Sequence, residues 1–334
     1  MSKVLIIAEA GVNHNGQLAL ALQLCDAAKH AGVDIVKFQT WKTEKLLTKS
    51  AAMADYQKEN TGSDKSQFDM IKELELGYSE FRHIQAHCRK IGIEFLSTPD
   101  EEESLDFLVD ELGLSLIKVG SGEVTNTPYL RHIGAKQKPV LLSTGMSYIG
   151  EVERALQTLR AAGAPEVSLL HCTTNYPCPM NEVNLRAMNT LGLAFNVPVG
   201  YSDHTLGIEV SVAAVALGAT IIEKHFTLDR SMPGPDHSAS LNPAELAEMV
   251  RAIRNIEDAL GDGVKQPNAS EIKIKPVVRR SIVASRLIAV GEHLQESNLT
   301  IKRAGGAGIP AELWDNVVGR KASKAYREDD LVEL

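Results

Sequence analysis

Residues 220–226 read TIIEKHF: two isoleucines open an apolar run, and Glu223, Lys224 and His225 nearly close it. The β-branched start favours a strand. Three ionisable groups at the end of a buried strand are costly unless each has a partner or a task. The pattern recurs upstream. VLIIAEAG (4–11), DIVKFQT (34–40), IEFLSTP (93–99), SLIKVGSG (115–122), PVLLSTG (139–145), VSLLHCTT (167–174) and VPVGYSDH (197–204) also run from apolar to polar. Helical patterns lie between most of them. LALALQLCDAAKHAG ends at a glycine, and IGEVERALQTLRAAGA carries glutamate early and arginine late, as the helix dipole prefers. NPAELAEMVRAIRNIEDALG opens on Asn242-Pro243, a helix-start signal. Strand alternating with helix eight times over predicts an α/β protein with a (β/α)8 TIM barrel. An open doubly wound sheet is the competitor. No GxGxxG follows the first strand, and a count of eight favours closure.

Two stretches break the rhythm. Residues 41–77 are a long polar insertion after the second strand, expected to be partly helical and to lie over the active-site face. GDGVKQPNASEIKIKPVV (261–278) is polar, has no strong period and reads as a linker. Beyond it come short strands, glycine turns and one short helix. The expected organisation is a catalytic barrel over 1–262, a linker over 263–278 and a small domain over 279–334, which is short for independent stability.

Composition narrows the function classes. The chain has 334 residues, is 44% hydrophobic, and carries 43 acidic against 35 basic residues for a net charge of −8. Aromatics are only 5%, and there is no basic tail, so nucleic acid and anionic membranes are poor partners. An anionic substrate needs a local cluster of Lys, Arg or metal to overcome that field. The N-terminal apolar run soon meets Glu9, and no stretch is long enough to span a bilayer, so no signal peptide is expected. Cys25, Cys88, Cys172 and Cys178 form no CxxC pair, which fits reduced thiols in the cytoplasm.

In a barrel of this kind the strand C-termini form the catalytic face. The sequence delivers polar groups there from nearly every strand: Glu9; Lys37 and Gln39; Ser97 and Thr98; Lys118, Ser121 and Glu123; Ser143 and Thr144; Thr174 and Tyr176; Ser202 and His204; Glu223 and His225. Residues two apart share a face of a strand. Lys37 with Gln39, Thr174 with Tyr176, Ser202 with His204 and Glu223 with His225 obey that rule. Lys118 and Ser121 do not, so the intervening GSG must leave regular strand geometry. A single histidine at a strand end is ordinarily a hydrogen-bonded wall residue. Two at the ends of neighbouring strands suit a divalent metal with open coordination positions. A lone serine is ordinarily structural. A ring of hydroxyls with two lysines suits phosphate and carboxylate oxygens. A lysine in that setting also suits a Schiff-base aldolase without metal. MPGPDH (232–237) would bring Asp236 and His237 toward the same mouth on a rigid turn.

IIAEAGVNHNG, VDIVKFQT, FLSTP, KVGSGE, LLSTGM, LLHCTTNYP, VGYSDHT, IEKHFTLD and MPGPDH, in that order, resemble the bacterial sialic acid (nonulosonic acid) synthases. The tail, SIVASRLIAVGEHLQESNLTIKR, resembles that family's antifreeze-like SAF domain. The resemblance implies condensation of phosphoenolpyruvate with an open-chain N-acetylated mannosamine-type sugar and release of phosphate. It implies a manganese or magnesium ion on His204 and His225. Lys37, Thr98, Lys118, Ser121, Ser143, Thr174 and Ser202 would hold phosphoenolpyruvate. Gln39, Tyr176, Asp236 and Arg303 would meet the sugar, and Glu9 and Glu123 would serve as acid and base. It also implies a domain-swapped homodimer in which Arg303 reaches the N-acetyl group. This chain departs from many relatives in having Asp100 after STP, and in reading KRAGGAG around Arg303. AEAGVNHNG, HCTT, GYSDHT and ASLNPAEL look nearest the legionaminic acid branch, whose acceptor is 2,4-diacetamido-2,4,6-trideoxymannose. N-acetylneuraminate is the runner-up and pseudaminate the third. A non-enzymatic sugar- or ice-binding protein built on the tail would leave the armed strand ends unexplained.

Overall fold

The computed structural model describes residues 3–52 and 66–333. Its backbone divides into two compact units, Met1–Gly261 and Asp262–Leu334.

The first unit is the barrel. Its strands are β1 (Leu5–Gly11), β2 (Ile35–Thr40), β3 (Glu94–Pro99), β4 (Ile117–Val119), β5 (Val140–Ser143), β6 (Val167–His171), β7 (Val199–Asp203) and β8 (Ile221–His225). They form one sheet in the order β3-β2-β1-β8-β7-β6-β5-β4, and every recorded pairing is parallel. The ladder runs from β3 around to β4, which leaves the seam between those two strands without ladder pairing among the described residues. Two apolar clusters fill the space between strands and helices. One gathers around Ile6, Leu24, Val36, Phe81 and Met249, the other around Val119, Ile133, Leu142 and Leu159.

The polar insertion holds helices at Thr43–Leu46 and Gln67–Leu74. The second is capped by Ser66, whose hydroxyl accepts from the Asp69 amide at 3.1 Å. Of the insertion expected over 41–77, residues 53–65 lie outside the described residues.

The second unit is built on an antiparallel pair, β9 (Arg280–Ala284) and β10 (Leu299–Arg303). Its own core holds Ile282, Ile288, Leu294, Val317, Tyr326 and Val332. The stretch expected to be a linker contains a helix, Ala269–Val278. A capping box made by Asn268 and Glu271 starts it, with the Asn268 amide donating to Glu271 at 2.8 Å. Composition hid this helix because Ile272, Ile274 and Val277 do not collect on one buried face: all three are exposed. Among the described residues no helix is long and apolar enough to cross a membrane.

Candidate active site

Period-two alternation sends Glu9, Lys37, Ser202, Glu223 and His225 to the inside of the barrel mouth, where they are buried. There they form one charge cluster. Lys37 Nζ lies 2.8 Å from Glu9 Oε2 and 3.6 Å from Glu223 Oε2, and donates to Thr98 Oγ1 at 3.0 Å. Lys118 Nζ lies 3.6 Å from Glu223 Oε1 and donates to Ser143 Oγ at 2.7 Å. The Ser202 hydroxyl donates to Glu223 Oε1 at 2.9 Å. Glu223 is therefore the shared counter-charge of both lysines. Two ammoniums and several hydroxyls converge on one mouth, which suits an anion.

The two carboxyls are driven apart. Burial works against ionisation of Glu223, but Lys118, Lys37 and the Ser202 hydroxyl outweigh it and hold the carboxyl down at about 2. Burial pushes Glu9 up to about 8 despite the pull of Lys37. One is a fixed anion at neutral pH. The other holds a proton that it can give up, the usual arrangement for separating electrostatic from acid–base duties.

Beside this cluster stand the two imidazoles. The His204 and His225 ring centres are 5.5 Å apart, edge to face. Tyr176 packs against both, at 4.1 Å and 5.4 Å between centres. His204 Nδ1 donates to the Thr173 carbonyl at 2.6 Å, which fixes the tautomer and puts the ring's lone pair on Nε2, 3.3 Å from Ser202 Oγ. His225 Nδ1 is buried without a hydrogen-bond partner, 3.8 Å from Asp236 Oδ2. Burial lowers His204 to about 4 and His225 well below its usual value, so both are neutral at pH 7. Neutral imidazoles are the ligating form. Among the described residues no group of three or more His, Cys, Asp or Glu is spaced to hold a metal. The chain thus offers a pair of nitrogen donors, and further positions would fall to substrate or water.

The glycine-rich turn after β4 leaves strand geometry as expected: Ser121–Glu123 form a 3-10 turn. It delivers Ser121 to the site wall, where its oxygen accepts from the Gly145 amide at 2.9 Å and lies 3.3 Å from Cys172 Sγ. Thr174 and Tyr176 do not share a strand face, because β6 ends at His171 and both residues belong to the loop beyond it. The Thr174 hydroxyl is buried without a hydrogen-bond partner. Gln39 is half-buried and opposite Thr98 in the β2–β3 register. Glu123 stands apart from the lysine cluster. It accepts from Asn126 at 2.6 Å and lines a cavity of about 530 Å³ with Asp100, Glu101 and Lys45. Arg303 ends β10 in the second unit, exposed and opposite Arg280.

The NeuB family model matches residues 24–265, well over half of the chain. The chain belongs to the NeuB family. A SAF domain matches residues 279–333. The chain is 50% identical to the N,N'-diacetyllegionaminic acid synthase of Campylobacter jejuni, over 99% of each chain. It is 46% identical to the Legionella pneumophila protein of that name, over 95% of this chain and 90% of the other. Among solved structures, the N-acetylneuraminic acid synthetase of Leptospira borgpetersenii in complex with citrate superimposes with a TM-score of 0.72 at 36% identity. That match covers 81% of this chain and 90% of that one.

In this NeuB barrel, Glu223 is the residue to which sequence reasoning assigned no role. The signal was available: it shares its face with His225, and two interior lysines demand more than one carboxylate. Gly145 is a second. A methyl group there would stand inside contact distance of Thr174 Oγ1, 3.0 Å from Ser121 Oγ and 3.1 Å from Cys172 Sγ. Gly145→Ala should therefore displace two hydroxyls of the anion wall and raise KM for the anionic substrate about tenfold. An unchanged KM in steady-state kinetics would mean that the wall yields freely.

Asp100 yields a pH prediction. Burial pushes its carboxyl from an ordinary 3.8 up to about 7, against the pull of Lys37. Between those values the folded chain binds the proton more tightly than the unfolded chain, so stability falls as pH rises through the window. Asp100→Asn removes the cost. The expected gain is about 1–2 kcal/mol at pH 8, discounted for the part of the side chain that solvent reaches, and much less at pH 5. Urea midpoints at both pH values measure it. A larger gain at pH 5 would reverse the sign.

Proposed function

We propose that this NeuB-family chain condenses phosphoenolpyruvate with 2,4-diacetamido-2,4,6-trideoxymannose, giving N,N'-diacetyllegionaminate and phosphate. The observation that carries the reading is the pair of buried lysines sharing Glu223 beside two neutral imidazoles. The similarity to two proteins named N,N'-diacetyllegionaminic acid synthase supports the choice of acceptor.

Lys37 and Lys118 would neutralise the phosphate and carboxylate of phosphoenolpyruvate. Thr98, Ser121, Ser143, Thr174 and Ser202 would supply hydroxyl donors that fix its orientation. C3 of phosphoenolpyruvate attacks the aldehyde carbon of the open-chain sugar, water adds at C2, and cleavage of the C–O bond releases phosphate. A divalent cation, manganese or magnesium, held by His204 and His225 would polarise the aldehyde oxygen when bound. Glu9, protonated over much of the neutral range, can deliver its proton to the oxygen that becomes the new hydroxyl. Glu223 stays ionised and keeps both ammoniums in place. Gln39, Tyr176 and Asp236 would meet the sugar, and Glu123 is the second acid–base candidate. The proposal includes a homodimer in which Arg303 serves the sugar bound to the other copy, as the family resemblance implies. Light scattering on the purified chain tests that part.

The experiment for the whole reading is phosphate release from phosphoenolpyruvate with manganese, offering N-acetylmannosamine and the diacetamido sugar side by side. Faster turnover of the diacetamido sugar is the expected result. Preference for N-acetylmannosamine would replace the acceptor and keep the reaction. Release with neither would overturn the class.

A further inference from the structure

The middle residue of Glu223-Lys224-His225 faces away from the barrel mouth, and its partner there is equally buried. Lys224 and Asp203 are both fully buried, and Lys224 Nζ lies 2.9 Å from Asp203 Oδ2. The two residues are direct neighbours across the β7–β8 ladder. Asp203 Oδ1 accepts from the Thr205 amide at 2.9 Å and from its hydroxyl at 2.7 Å. Asp203 Oδ2 also accepts from Ser211 Oγ at 2.7 Å, and Lys224 Nζ donates to the Thr205 carbonyl at 2.5 Å. Every charged atom of the pair has a partner.

This network begins where the backbone ladder stops. Asp203 opposite Lys224 is the last pairing between β7 and β8, so no ladder bond holds His204 against its neighbour. The residue before His204 and the residue after it are instead tied to one ammonium on β8, one position before His225. A buried ion pair is weak evidence for stability, and fixing a register is its best-attested use.

We infer that Lys224 and Asp203 are positioning residues, an outward-facing brace that sets the spacing of His204 and His225. The inference rests on the reading of those histidines as the metal-holding pair. Ser202 and Glu223, inward neighbours of the same two residues, form the pairing just before it in the β7–β8 ladder. Removing only one charge would leave the other buried and unpaired, which would confound positioning with stability.

The test therefore removes both charges. In the full-length Lys224→Met/Asp203→Asn chain, methionine fills the volume of the lysine stem and asparagine keeps the acceptor for Thr205. Manganese binding is read from the free-ion paramagnetic resonance signal, beside thermal unfolding. The expected result is a melting temperature near that of the wild type with manganese affinity lowered about 10–100-fold. Wild-type affinity in a folded double variant would reduce the pair to a structural role and overturn the brace. Should the double variant not fold, Ser211→Ala, which trims one bond from Asp203, is expected to weaken manganese binding severalfold, and an unchanged affinity overturns the brace equally. Absence of manganese binding in the wild type would instead refute the metal reading. The brace would then be decided by imidazole ¹⁵N spectra of the apo chains. Sharp single His204 and His225 signals that broaden or double in the variant support it, and identical spectra overturn it.

Discussion

Lys118→Met is expected to lower kcat/KM for phosphoenolpyruvate by about 10³-fold, equivalent to roughly 4 kcal/mol of lost transition-state binding. Lys118 is buried, donates to Ser143 at 2.7 Å and shares Glu223 with Lys37. Methionine keeps the stem and removes only the ammonium. A charge-assisted bond to an anion in a dry site contributes about 1.5–3 kcal/mol by itself, and Ser143 also loses its orienting donor. The fold should survive, because Glu223 retains Lys37 at 3.6 Å and the Ser202 hydroxyl at 2.9 Å. Circular dichroism checks that point, and KM for the sugar should move less than about threefold, since Lys118 lies on the anion side of the site. Lys118→Arg should not rescue, because a guanidinium needs a planar fork of acceptors and more room than a fully enclosed ammonium leaves. Equal losses on both substrates would mean that the mouth had collapsed. Burial also holds the Lys118 ammonium below its usual value, a property shared with Schiff-base lysines. Borohydride with pyruvate discriminates: a reduced adduct on Lys118 would make the protein an aldolase, and none is expected.

The parts of this molecule that could be read from the chain are those governed by a period or a local bond. The apolar-to-polar runs located all eight barrel strands, and alternation placed Lys37, Ser202, Glu223 and His225 on the inner face. The GSG turn after β4 followed from the mismatch between Lys118 and Ser121. Alternation failed at Thr174 and Tyr176, because a strand's end is set by its pairing, and the β6–β7 ladder stops at His171 opposite Tyr201. The helix over 269–278 was hidden for the opposite reason: its start is local, but its apolar residues mark no face. The anion wall around Gly145, Ser121 and Cys172 comes from the segments that follow three different strands and has no signature in any one of them. Lys224 was legible as an anomaly and not as an answer. Its partner lies 21 residues upstream, and only the parallel register of β7 and β8 brings the two together.

His225→Ala should separate metal chemistry from folding. The imidazole sits at the mouth, its Nδ1 has no hydrogen-bond partner and lies 3.8 Å from Asp236, and it packs against the Tyr176 and His204 rings. Deleting it breaks no hydrogen bond at that nitrogen, so the cost in stability should be about 1 kcal/mol, a fall of roughly 2–4 °C in melting temperature. His204→Ala should cost more, because that ring holds the Thr173 carbonyl and packs tilted against Tyr176 at 4.1 Å. Function should behave differently. With one of two nitrogen donors gone, manganese affinity is expected to fall by at least about 100-fold, and turnover by about 10³-fold at stoichiometric metal. Chelation of the wild-type chain should abolish phosphate release, and added manganese should restore it. In His225→Ala, restoration should need a large excess of manganese and remain incomplete, because extra metal replaces occupancy and not the direction from which the ion approaches the aldehyde. Near-normal turnover by metal-stripped His225→Ala would leave the neutral imidazoles as hydrogen-bonding walls and return the polarising role to the Lys37–Glu9 pair at the same barrel mouth.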